Sequence, residues 1–188
     1  MPWTHLEVDV NGGASPCCLY KGSVPGVKVY EQSLKSIQDT EYMVKLREQF
    51  RNGERPSGCQ SCWQEEDVGK TSKRQNSIYK MKTSLTDWTP DSEPTLKYID
   101  FKLGNVCNLK CRICGSWSSS KWAQEEIDYE TAKGGDNPLA RKQLKEGGWP
   151  KKNPQFFEEL QEDLKYVEYF EFTGGEPFMI KDHFKILM

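Results

Sequence analysis

Cys107-Asn108-Leu109-Lys110-Cys111-Arg112-Ile113-Cys114 places three thiols within eight residues, directly after the alternating stretch Leu96-Lys97-Tyr98-Ile99-Asp100-Phe101-Lys102-Leu103. In that stretch Ile99, Phe101 and Leu103 share one face, which is the period of a strand. Gly104-Asn105 supplies a turn between strand and cysteines. A fully ligated iron–sulfur cubane uses four Cys thiolates, so a triplet with no fourth cysteine nearby predicts one iron left open to another ligand. Downstream, residues 117–130 contain no Gly or Pro and set Trp117, Lys121 and Gln124 on neighbouring turns, with Trp122 and Glu126 on others, which predicts a helix. Strand, cysteine loop and helix make a βα unit, and barrels of such units carry their active face at the carboxyl ends of the strands.

A second unit follows. Residues 154–164 begin with Pro154 and space Phe156, Phe157, Leu160 and Leu164 along one helical face. An aromatic-rich strand is expected over 166–173, ending in the turn Gly174-Gly175-Glu176-Pro177.

The C-x3-C-x2-C spacing, with Gly-Gly-Glu at the end of the next strand, resembles the signature of the radical S-adenosylmethionine (SAM) enzymes. The resemblance implies a [4Fe-4S] cluster on Cys107, Cys111 and Cys114 whose open iron is chelated by SAM. It implies oxidoreductase-type chemistry: reductive cleavage of SAM to a 5′-deoxyadenosyl radical, then hydrogen abstraction from a substrate. The cofactor-binding residues it implies are Ile113, Gly174, Gly175, Glu176 and Pro177, with the Glu176 carboxylate on the SAM ammonium and the glycines letting backbone approach closely. Ile113 is a departure, because the family usually carries an aromatic side chain there beside the adenine; isoleucine offers less flat area for the base.

The implied fold is α/β, the first βα units of a partial (β/α)6 TIM-like barrel. Such a barrel takes about 200 residues, and residues 95–188 hold two strands and the start of a helix at 182–188, so a carboxyl-terminally truncated core is expected. A small electron donor such as flavodoxin or ferredoxin is the implied redox partner, and a peptide or protein is the best substrate expectation.

Residues 1–81 read as a separate small α+β unit, with 82–94 as linker. Leu6, Val8 and Val10 alternate with Glu7 and Asp9, Asn11-Gly12 is a hairpin signal, and the return strand is expected to carry Pro16-Cys17-Cys18-Leu19. Asp39 or Thr40 can cap a helix with Met43, Leu46 and Phe50 on its buried stripe, ended by Asn52-Gly53. Cys59-x2-Cys62 and a polar helix-like stretch over 63–80 follow.

This layout resembles the auxiliary-cluster modules called SPASM or twitch domains, which accompany many radical SAM enzymes. Gly12-x4-Cys17 and Gly13-x4-Cys18 both match the module's spacing, so the ligand stays open between Cys17 and Cys18. Relatives of this kind commonly carry a cysteine where Met1 stands; either the chain begins internally or Cys17 and Cys18 both contribute. An auxiliary iron–sulfur cluster is the expectation. A zinc ion on Cys17, Cys18, Cys59 and Cys62 is the plainer alternative, and a non-catalytic iron–sulfur or zinc binding module is the alternative for the whole chain.

The composition narrows the field. A net charge of −2 over 188 residues gives no basic field for nucleic acid. Mean hydropathy of −0.79 and the absence of a long apolar run or a signal-peptide-like start argue against a membrane protein. Seven cysteines, five of them in two tight groups, fit metal chemistry in a reducing cytoplasm better than a disulfide framework. His5 is expected to be packed and hydrogen-bonded in a strand, and the basic, Gly/Pro-containing stretch 133–154 to be a solvated loop.

Overall fold

The computed structural model describes residues 1–81, 86–153 and 156–188. Among these residues the chain is a mixed α/β structure with four strands and eight α-helices. In chain order the elements are β1 (His5–Val8), β2 (Ala14–Ser15), α1 (Leu34–Gln38), α2 (Glu41–Arg51), α3 (Gln60–Asp67), α4 (Lys73–Lys80), β3 (Tyr98–Phe101), α5 (Ser120–Ala132), α6 (Pro138–Glu146), α7 (Phe156–Asp163), β4 (Tyr169–Phe172) and α8 (Lys181–Leu187). The strands form one sheet in the order β2-β1-β3-β4. β1 and β2 are antiparallel, as the Asn11-Gly12 turn predicts, whereas β1–β3 and β3–β4 are parallel.

The parallel β1–β3 pairing carries the two sequence units on a single sheet. The register pairs Leu6 with Ile99 and Val8 with Phe101, and on the far side Ile99 with Phe170 and Phe101 with Phe172. These residues belong to the main apolar cluster, with Leu34, Ile37, Met43, Leu46, Phe156 and Leu160 from the helices packed on them. Side chains alternate across a strand, so the opposite face carries two polar rows. One aligns His5, Tyr98 and Tyr169, the other Glu7, Asp100 and Glu171. Tyr98 stacks on His5 at 4.1 Å between ring centroids and on Tyr169 at 5.8 Å.

Several local expectations change. The return strand stops at Ser15, and Cys17 and Cys18 lie in the bend and turn beyond it; Pro16 lacks the N–H needed to extend the ladder. The stretch 63–80 is two helices, broken after Asp67, because Gly69 takes φ +74° and Ser72 starts a new helix through a capping box with Gln75. Thr40, rather than Asp39, caps α2, its Oγ1 accepting from the Met43 N–H at 3.4 Å. The aromatic strand begins only at Tyr169, after a 3-10 turn at Leu164–Tyr166.

The largest correction falls on 133–154, which is not a solvated loop. Asn137 caps α6, with Pro138 at its first position, and α5 and α6 bury Ala123, Ile127 and Ala140 against one another. Trp149 is fully buried, meets Phe156 edge-on at 4.7 Å, and donates its indole N–H to the Lys102 carbonyl at 2.9 Å. The predicted helix start at Pro154 lies outside the described residues, as do 82–85 of the predicted linker. No helix among the described residues is long and apolar enough to cross a membrane.

Candidate functional site

The three cysteines of the triplet lie on the loop that leaves β3. Its base is fixed by Asn105, which is buried and donates its side-chain amide to the Ser116 carbonyl at 3.3 Å and the Gln143 carbonyl at 3.1 Å. The Asn105 carbonyl accepts from the Ser120 N–H at 2.7 Å, so the loop is closed onto the start of α5. Further along, Ser120 Oγ accepts from the Cys107 N–H at 3.2 Å, and Trp122 donates its indole N–H to the Cys111 carbonyl at 3.0 Å. Cys114 donates its N–H to the Cys111 carbonyl at 3.0 Å. Burial, then the neighbouring Cys111 and Cys107, push the Cys114 thiol up. Three thiols therefore share one partly exposed loop, with Cys111 and Cys107 near enough to Cys114 to act on its charge, a donor set suited to an iron–sulfur cluster or zinc.

The glycine-glycine-glutamate turn packs directly on this loop. The Gly175 N–H donates to the Ser118 carbonyl and the Glu176 N–H to the Val106 carbonyl, each at 2.8 Å. Gly174 and Gly175 take φ +75° and +61°, in the left-handed region. A Cβ on Gly175 would stand 2.4 Å from the Val106 carbonyl oxygen, and one on Gly174 would stand 2.9 Å from Cβ of Lys102. The space these glycines spare is thus taken by the chain itself. Glu176 accepts from the Phe178 N–H at 3.2 Å through Oε1 and caps the 3-10 turn Pro177–Met179. Ile113 is 91% exposed.

The amino-terminal cysteines separate into two places. Cys17, Cys59 and Cys62 line one cavity with Met1, Phe50 and Arg74. The turn after β2 is joined to the Cys59 turn by the Lys21 N–H donating to the Gly58 carbonyl at 2.8 Å. Burial pushes the thiols of Cys17 and Cys59 up to about 11. All-thiol donors at one cavity fit a thiophilic metal or cluster, which must displace those protons on binding.

Cys18, the next residue, does not line that cavity. Its sulfur lies within 4.8 Å of carboxylate oxygens of Asp100 and Glu171 on the polar sheet face. Burial holds its thiol up at about 11, with Lys73 opposing. Glu171 is engaged by Lys73, whose Nζ donates to both carboxylate oxygens at 2.8 Å, and by the Tyr98 hydroxyl. Asp100 accepts from the Thr173 hydroxyl at 2.7 Å. His5 is buried beside this row, packed as expected but hydrogen-bonded only in part, with Thr4 Oγ1 at 3.5 Å from Nδ1 and no partner on Nε2 among the described residues. Burial, followed by nearby positive charge, lowers its pKa well below 6.5.

Sequence reasoning missed Arg74, Asn105, Asp100 and Glu171. Asn105 reads in the sequence only as a turn residue, and Asp100 and Glu171 only as polar members of alternating strands. All seven cysteines are free thiols.

Residues 1–63 match the family model of SPASM, an iron–sulfur cluster-binding domain. The match contains Cys17, Cys18, Cys59 and Cys62, and it supports iron–sulfur cluster binding by this region. No curated protein and no solved structure matches the chain.

Proposed function

We propose that the chain is a radical SAM protein with a SPASM-type auxiliary cluster site ahead of its SAM-binding site. The observation that carries this reading is the pair of 2.8 Å backbone hydrogen bonds that seat Gly175-Glu176 on the loop of Cys107, Cys111 and Cys114. Two motifs far apart in sequence meet at the carboxyl ends of adjacent parallel strands, where open and closed α/β sheets alike collect their ligands. The parallel β3–β4 pair with its helical crossover is compatible with the opening of a (β/α)6 barrel.

In this reading Cys107, Cys111 and Cys114 hold a [4Fe-4S] cluster, and the Gly174–Pro177 turn, with Ile113, borders SAM. When bound, cluster and SAM together supply one-electron cleavage of the sulfonium and a 5′-deoxyadenosyl radical for hydrogen abstraction. The chain's own residues hold and orient. Asn105 and Ser120 fix the cysteine loop, and the left-handed glycines seat the Glu176 backbone N–H on the Val106 carbonyl at its start. Cys17, Cys59 and Cys62 hold the auxiliary cluster, which their common cavity supports, and Cys18 does not. A flavodoxin or ferredoxin is the electron donor and a peptide the substrate class.

Anaerobic reconstitution of the chain with iron and sulfide tests the proposal. The expected product is a brown protein with two clusters, one lost in Cys111→Ala and the other in Cys59→Ala/Cys62→Ala. Colourless protein that retains only zinc would mean a structural module without redox chemistry.

A further inference from the structure

Arg74 lies on α4, beyond the matched residues 1–63, yet it lines the same cavity as Cys17, Cys59 and Cys62. Its guanidinium is held rigidly. Nε donates to Oε1 of Glu66 at 3.1 Å and Nη2 to Oε2 at 2.5 Å, and the Ser72 hydroxyl braces Oε1 at 2.6 Å. The Trp63 ring lies 4.8 Å from the guanidinium carbon. That leaves Nη1 without a hydrogen-bond partner among the described residues. The side chains of Arg74 and Glu66 are only 26% and 14% exposed, so water screens the pair weakly. Glu66 does not line the cavity, which puts the positive end of the pair on the cysteine side.

We propose that Arg74 sets the reduction potential of the cluster held by Cys17, Cys59 and Cys62, with Glu66 and Ser72 holding its guanidinium in place. The inference rests on the auxiliary-cluster reading above. Reduction adds one electron, supplied by the external donor, and neither makes nor breaks a bond. A fixed cation with free N–H groups beside thiolate and sulfide stabilises the added charge, and net charge and hydrogen bonds to sulfur are the levers that set such potentials. Arg74 is therefore a positioning and tuning residue rather than a ligand.

The test is a dithionite redox titration followed by electron paramagnetic resonance, on the full chain with Cys107, Cys111 and Cys114 replaced by Ser so that one cluster remains. Arg74→Gln should keep its iron and shift the midpoint negative, by about tenfold in the reduced-to-oxidised ratio, or about 59 mV for one electron. Arg74→Lys should fall between it and the parent, and Glu66→Gln should shift the midpoint positive. Equal midpoints in the parent and an iron-replete Arg74→Gln variant would overturn the proposal while leaving the cluster reading intact. Should Arg74→Gln lose its iron, Glu66→Gln decides: a positive shift supports the proposal and an unchanged or negative one refutes it. A parent without iron at these cysteines overturns the cluster reading itself, and the proposal with it.

Discussion

The backbone N–H of Glu176 donates to the carbonyl of Val106 at 2.8 Å, joining the turn after β4 to the residue that precedes Cys107. The contact explains why the turn needs two glycines in succession. Both adopt positive φ, and their missing side chains leave room for Val106 and Lys102. The expectation from sequence was that these glycines open space for a cofactor. Their first service is to seat the turn on the cysteine loop.

Gly175→Ala should therefore weaken both fold and site. A left-handed alanine and a Cβ pressed on the Val106 carbonyl together cost about 1–3 kcal/mol. Urea denaturation should show the loss, and iron at the Cys107 cluster should fall while iron at Cys59 and Cys62 is retained.

Asn105→Ala tests the base of the loop. Removing the buried amide leaves the Ser116 and Gln143 carbonyls without that donor, a loss of about 1–3 kcal/mol. Thermal unfolding should register it, and cluster loading at the triplet should become incomplete. A variant as stable as the parent, with full iron, would show that the loop is held by other contacts.

Cys17 and Cys18 should part company in metal binding. Cobalt(II), whose thiolate complexes absorb in the visible, should bind the cavity of Cys17, Cys59 and Cys62 in the iron-free chain and release protons, because the free thiols of Cys17 and Cys59 stay protonated up to about 11. Apparent affinity should rise with pH across the range below that value. Cys17→Ser should abolish the signal and Cys18→Ser should leave it.

His5 should make the protein acid-sensitive. Its pKa is lowered in the folded state, chiefly by burial, so its contribution to stability is complete above the unfolded value of 6.5 and declines as pH falls below it. The slope from one such group is at most about 1.4 kcal/mol per pH unit. His5→Phe, which keeps a ring against Tyr98, should lose less stability than the parent between pH 7 and pH 5.

The sequence showed most clearly what depends on local pattern. Ile99, Phe101 and Leu103 alternate and are buried together, and Thr40 to Asn52 carries cap, stripe and stop in order. Helix α6 was hidden because Gly134, Gly135, Gly147 and Gly148 bracket a short charged segment whose buried side is only Ala140 and Gln143. Its value lies in tertiary contact, since Asn105 reaches it from another element. The parallel pairing of β1 with β3 joins residues far apart in the chain, and no local period encodes it. Cys17 and Cys18 match the same spacing one residue apart. Only the turn after Pro16 sends them to different surroundings.

The central claim is that the loop of Cys107, Cys111 and Cys114, with the turn at Glu176 seated on it, forms a cluster site whose open iron takes SAM. Electron paramagnetic resonance of the dithionite-reduced, reconstituted chain, with Cys59 and Cys62 replaced by Ala to leave this cluster alone, tests it most directly. Adding SAM should change the spectrum, and Glu176→Gln should raise the SAM concentration needed for half the change. A reduced cluster whose spectrum is identical with and without saturating SAM would contradict the account.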